Sequence, residues 1–243
     1  MPEHEPWLTA LFNDHLAGVA NAVLSLAGQK TAERPWSESL SMEILVAAII
    51  VVLFAILRSK LSMDRPGTLQ HSFEVIHEFL HSEAVANVGH DGPKYLPFFG
   101  TLFIFILFAN LLGVIPGFAS PTMFPEVPAG LAMAAFVYYN VMGVSAHGIV
   151  KYLAHFAGPI WWMAPLMIPI ELVSHMARPL SLTVRLFANM YAGERVTLVF
   201  LSISYLVFPA IFMGLHVFVS ILQAYIFALM TMMYVASAVA HDH

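Results

Sequence analysis

The chain has 243 residues, of which 59% are hydrophobic and only 10% charged, with a mean hydropathy of +0.78. That balance excludes an ordinary soluble domain and predicts an all-α polytopic membrane protein. A net charge of −5 from so few charged residues leaves no basic surface for nucleic acid, and the lack of cysteine removes disulfides, thiolate metal sites and thiol nucleophiles.

Residues 1–40 begin Met1-Pro2-Glu3-His4-Glu5, without the positive flank of a secretory signal, and read as a retained, weakly amphipathic external segment. A membrane domain is expected over 41–243. Its first span, 41–58, centres on the apolar run Ile44 to Leu53 and is followed by Arg58, Lys60 and Arg65. Basic residues collect on the cytoplasmic side, so the N-terminus is expected outside and the C-terminus inside. Over 68–88, Leu69, Phe73, Ile76 and Leu80 recur at helical spacing against His71, Glu74, Glu78 and His81, which predicts an amphipathic helix on the cytoplasmic membrane surface.

A second span, 96–116, runs into a loop with Pro116, Pro121, Pro125 and Pro128, whose one charge is Glu126. A third, 130–150, carries Asn140 and His147 and ends at Lys151. Two long stretches, 165–200 and 205–240, complete about five membrane helices. A stretch of about 36 residues makes a rod of roughly 54 Å against roughly 30 Å of hydrocarbon. Both must therefore tilt, bend or break, with Pro169, Pro179 and Pro209 as places to do so, and they are expected to join as an intramembrane hairpin around Ser202 to Tyr205.

The first long stretch holds the chemistry. Arg185 keeps its proton at any ordinary pH, so burial cannot neutralise it. Insertion scales put such a charge at roughly 2.5–3.5 kcal/mol in mid-membrane, which makes a functional charge with a partner the default reading. Glu171, Ser174, Arg178, Ser181, Arg185 and Asn189 follow steps of three and four and share one helical face. Glu194, nine residues after Arg185, falls on the opposite side.

The second stretch carries His216, Ser220 and Gln223, again at steps of four and three. A turn near Ser204 brings Glu194 beside His216, toward the outer side, and Arg185 level with Gln223, deeper in. Glu171 marks the inner side, with His175 and Arg178 as further candidates for the lining. Carboxylate and imidazole exchange protons at moderate pH and guanidinium does not, so two titratable regions separated by Arg185 form an interrupted ion path.

The run Leu180-Ser181-Leu182-Thr183-Val184-Arg185-Leu186-Phe187-Ala188-Asn189-Met190-Tyr191-Ala192-Gly193-Glu194, followed by His216 and by Leu222-Gln223-Ala224-Tyr225-Ile226-Phe227, resembles subunit a of the F-type ATP synthase membrane sector. The resemblance runs from about Leu40 to the end, and Ala188 stands where many members have glycine. It implies a stator subunit in a bacterial inner membrane, beside a rotating ring of small hairpin c subunits that carry a mid-membrane carboxylate, and held by peripheral-stalk b subunits. It further implies that Arg185 faces the ring carboxylate, that Glu194 and His216 form an outer half-channel pair, that Gln223 and Asn189 lie near the arginine, and that Glu171 is an inner half-channel acid. Ser181, His175, Arg178 and Ser220 are possible lining residues. The resemblance implies a transported proton, with sodium possible because the ring site sets the choice. Neither cofactor nor metal is expected, and with no nucleotide-binding motif the chain itself should not hydrolyse ATP.

Two other readings compete. His77-Glu78-Phe79-Leu80-His81 matches the His-Glu-x-x-His zinc motif, but it lies on the amphipathic surface helix without an obvious third ligand. A stand-alone ion-coupled transporter would explain intramembrane charges, yet it should carry its own binding site at a repeat interface, and Arg185 has no evident acidic partner at matching depth in the chain.

Overall fold

A computed structural model describes residues 7–26, 28, 30–62, 66–115, 117–149, 151–152, 164–203 and 207–240. Seven α-helices lie among them: α1 Trp7–Leu26, α2 Glu38–Ser59, α3 Thr68–Val88, α4 Gly92–Leu112, α5 Glu126–His147, α6 Ala164–Ile203 and α7 Val207–Val239, with one turn of 3-10 helix at Pro121–Met123. Four are long and apolar enough to cross a membrane: α2, α4, α5 and residues Ala210–Val239 of α7. Helix α6 is the fifth long element. Glu171, Arg178, Arg185, Glu194 and Arg195 hold it below the apolarity of the others, and it packs along α5 and α7 instead.

The core is built where α4, α5, α6 and α7 meet. Phe99 and Ile106 from α4, Tyr139 from α5, Leu186 and Met190 from α6, and Phe227 and Met232 from α7 are buried together. Alanines at 132, 135, 224 and 228 in the same cluster bring the helix backbones close, the packing a bilayer requires when lipid is as apolar as the side chains. A smaller cluster joins Leu8 of α1 to Met42 and Val46 of α2 and to Ala109 and Leu112 of α4.

Helix α4 starts at Gly92, earlier than the expected residue 96, because the chain turns a sharp corner after α3. Gly89 takes φ 90°, a conformation that favours glycine, and a Cβ on Gly92 would run into the Ala84 carbonyl. The expected apolar stripe of α3 is only partly used. Leu80 is 2% exposed while Leu69 is 51% exposed, because the helix seats its second half against α4 and α7. Its first turn is tied down by Gln70, which donates to the Ser62 carbonyl and accepts from the Ser62 amide, both at 3.0 Å.

The N-terminal segment is an ordered helix with a return strap. Asn13 Nδ2 donates to the Trp36 carbonyl at 3.2 Å while its Oδ1 accepts from the Trp36 amide at 3.0 Å. Asn21 repeats the arrangement with Ala32, at 3.0 Å both ways. Two asparagines eight residues apart thus bind the strap as an adjacent β-strand would, satisfying backbone groups that have no helical partner.

Helices α6 and α7 form an antiparallel pair around residues 204–206, which lie outside the described residues together with part of the expected turn. The rings of Phe200 and Phe212 stack with centroids 4.0 Å apart, and Asn189 meets Gln223 further from the turn. Both pairings are centred on residue 206, two residues beyond the expected Ser204, so Gln223 stands opposite Asn189 and Arg185 lies about one turn deeper.

Candidate functional site

Beside a face of exposed apolar residues, Val173, Met176, Leu180 and Val184, the wall of α6 carries three further strips. Leu182, Leu186, Met190 and His175 are buried against α5 and α7. Ser174, Ala177, Ser181, Ala188 and Ala192 are exposed along a second strip. Glu171, Arg178 and Arg185, all half-buried, and the exposed Asn189 run along the seam between the two. The shared face predicted from the steps of three and four is this seam, with Ser174 and Ser181 displaced from it onto the small-residue strip. Arg185 makes no hydrogen bond or ion pair with any described residue, so its counter-charge is not in the described part of the chain.

Between α6 and α7 lies a row of polar atoms. Asn189 Nδ2 donates to Gln223 Oε1 at 2.9 Å, joining the two helices one turn from Arg185 on the side of the α6–α7 connection. The amide nitrogen of Gln223, the hydroxyl of Ser220, Nε2 of His216 and Oε2 of Glu194 are all buried without a hydrogen-bond partner among the described residues. His216 is 5% exposed, and its ring lies beside Gly193, where a Cβ would sit 3.7 Å from Nε2. Each buried polar atom left unpaired costs about 1–3 kcal/mol, so four in a row are not a packing accident. Glu194 turns away from the seam, as its position in the helix requires, and accepts a hydrogen bond from the Ser120 backbone amide. Glu38 lies close enough to act on it electrostatically, and Arg195 leans instead over the Tyr191 ring at 5.1 Å.

Three further residues join this row that pattern reading missed. Asn110, fully buried in α4, donates to the Ser220 carbonyl at 3.3 Å. Its Oδ1 accepts from Thr122 at 2.6 Å, and Ser120 Oγ lies 2.7 Å from Thr122 and donates to the Ala109 carbonyl. An asparagine within an otherwise apolar span was the available signal. The loop hydroxyls had none, because their burial depends on the fold of 113–123.

At the opposite end of α6, His175 is 7% exposed and sits among α5 side chains. Its Nε2 lies 2.9 Å from Asn140 Oδ1, an oxygen that also accepts from the Tyr152 hydroxyl at 2.8 Å, and the Tyr139 hydroxyl approaches the ring at 3.3 Å. The Arg178 guanidinium lies 5.8 Å from the centroid of Tyr139 and 5.2 Å from that of Tyr234. Arg178 is therefore packed against two rings and does not reach freely into solvent. Glu171 lies near His175 on the same helix.

His77, Glu78 and His81 are exposed on α3, with the two imidazoles stacked 6.3 Å apart. Among the described residues no group of three or more His, Cys, Asp or Glu side chains is placed to hold a metal ion.

The ATP synthase A chain family matches residues 40–236. ATP synthase subunit a of Solibacter usitatus is 67% identical over 233 residues, covering 96% of this chain and all of that protein. The subunit a of Koribacter versatilis is 45% identical over 242 residues, with 99% of each chain covered. A third relative, ATP synthase subunit a 1 of Syntrophotalea carbinolica, is 41% identical over 199 residues, 82% of this chain and 84% of its own. The second of these alignments takes in the N-terminal helix and strap as well as the membrane helices, and with matches of this length and level the chain belongs to the ATP synthase subunit a family.

Proposed function

We propose that the chain is the stator subunit of a bacterial F-type ATP synthase that carries protons between the aqueous phases and a rotating ring of small carboxylate-bearing c subunits, in a complex tethered by b subunits. The observation that carries this reading is the set Glu194, His216, Ser220 and Gln223, each with one buried polar atom that has no partner among the described residues, which ends one turn from an arginine without a counter-charge there. Such a row supplies donors and acceptors for a proton path, and the unpaired guanidinium supplies its stop.

The mechanism follows from charge and solvation. A ring carboxylate beside Arg185 is ionised, because opposite charge within a few Å favours the charged form. The same carboxylate facing lipid must be protonated, because a bare charge there is costly. Rotation past Arg185 therefore requires protonation on one side and release on the other. Glu194 and His216 serve the outer side, and Asn189 and Gln223 hold the amide contact next to the arginine. Glu171, with His175 and Arg178 nearby, lies on the inner side. Arg185 also repels a proton crossing directly between the two paths. One charge moving through about 100 mV supplies roughly 2.3 kcal/mol, so several protons must be summed to drive nucleotide synthesis in the soluble sector.

The test is ATP-driven acidification of inverted membrane vesicles, comparing wild type with Arg185→Ala at equal assembly. Complete loss of acidification is expected. Undiminished acidification would make Arg185 structural and remove the mechanism.

A further inference from the structure

Arg178 stands seven residues before Arg185, which places it within about 20° of the same face and about 10.5 Å along the axis. Helix α6 is 40 residues long, about 60 Å, so a straight helix kept whole within roughly 30 Å of hydrocarbon lies about 60° from the membrane normal. At that tilt the step from Arg185 to Arg178 is a lateral displacement of about 9 Å, within the 8–10 Å at which neighbouring helices pack, with about 5 Å of depth left for the long side chains to span. A ring of packed hairpins would therefore present one carboxylate near Arg185 and the next near Arg178.

The side chain is held for such a task. Tyr139 and Tyr234, from α5 and α7, place their rings on Arg178, and Tyr139 also hydrogen-bonds to it. Tyr139 is in turn fixed by His175, whose ring meets it edge-on with centroids 5.3 Å apart and is anchored on Asn140. Tyr152 closes the set from the segment after α5. A lysine or arginine that merely reaches the membrane surface needs no such frame.

We propose that Arg178 is a second carboxylate-facing charge, one ring step inward of Arg185, that keeps the ring carboxylate ionised while it is open to the inner side, with His175 as the positioning residue of its tyrosine frame. This rests on the stator reading above. During synthesis the charge favours proton release to the inside, and during ATP-driven pumping it opposes proton uptake from there. The titratable or charged groups facing Arg178 are His175 on α6, Tyr139 on α5, Tyr152 after it and Tyr234 on α7, with Glu171 acting on His175 from one turn further along α6. All remain in place when Arg178 alone is replaced.

The experiment uses the whole complex in inverted vesicles, where the bath is the inner face. Rates of ATP-driven pumping and of gradient-driven synthesis are measured against bath pH for wild type, Arg178→Gln and Arg178→Lys, each divided by uncoupled ATP hydrolysis at the same pH. For Arg178→Gln both curves are expected to move to higher bath pH by about one unit, the effect of losing a nearby opposite charge. Arg178→Lys should restore most of the wild-type position, and His175→Leu should give a partial shift that His175→Gln does not. Wild-type curves for Arg178→Gln would overturn the inference. Should that variant fail to assemble, Tyr234→Leu, which loosens the frame and retains the charge, carries the test, and an unshifted curve there overturns it equally. Loss of pumping in Arg185→Ala together with an unchanged Arg178→Gln curve would remove this inference alone, whereas pumping by Arg185→Ala would remove the reading beneath it.

Discussion

Under the stator reading, Gln223 and Asn189 form the single contact between two helices that matters most to the proton path. Their hydrogen bond, at 2.9 Å, fixes how α6 and α7 face each other one turn from Arg185, and the amide nitrogen of Gln223 is left over, buried and aimed along the row. Gln223→Leu keeps the volume near that of glutamine and removes both functions. If the amide acts in the transfer step, losing it is expected to slow proton pumping several-fold, about tenfold if about 1.4 kcal/mol of barrier is added. Asn189→Leu in the same background should then add little, because the partner has already gone. The check is acidification by the two single variants and the double variant, and strictly multiplicative losses would show that the pair does not act as a unit.

At the scale of elements, the corner between α3 and α4 is set by two glycines for different reasons. Gly89 needs its positive φ, whereas Gly92 needs the missing Cβ, since the Ala84 carbonyl occupies that space. Gly92→Ala must therefore push α3 off α4, an overpacking cost of about 1–3 kcal/mol, and thermal unfolding of the purified protein is expected at a lower temperature than wild type. An unchanged midpoint would mean that the corner relaxes without cost. The helices themselves were legible in the sequence, because hydrophobic runs and the three-four spacing of Leu69, Phe73, Ile76 and Leu80 are local signals. The hairpin register was off by two residues at its centre, since no local signal marks where a turn between two apolar helices falls. Asn110 was visible as an isolated polar residue, but its bond to the Ser220 carbonyl spans 110 positions and exists only after α4 has met α7. The cage around Arg178 was hidden for the same reason: Tyr139, Asn140, Tyr152, His175 and Tyr234 come from four parts of the chain.

Taken as a whole, the molecule packs part of its large side chains and its polar row inside the four-helix core, turns others such as Val173, Leu180 and Ile211 outward, and carries the strip of Ser174, Ala177, Ser181, Ala188 and Ala192 on its exposed side. Helices with bulky residues lock together because ridges of one fill grooves of the other, and sliding them requires lifting each ridge out of its groove. A strip of serines and alanines has low ridges, the tallest beside it being Val184, 53% exposed between Ser181 and Ala188. Under the stator reading, a rotor passing over it meets a nearly level energy profile, with friction low in every direction and detents supplied by charge instead of shape. Ser181→Leu plants one bulky side chain on that track, in the step between Arg178 and Arg185. Rotation rate is then expected to fall several-fold with assembly and passive sealing intact, measured by single-molecule rotation of the whole complex, and unchanged dwell times would show that the rotor does not run there. On that reading the low relief of the strip gives the surface the character of a bearing, with little for a passing rotor to grip.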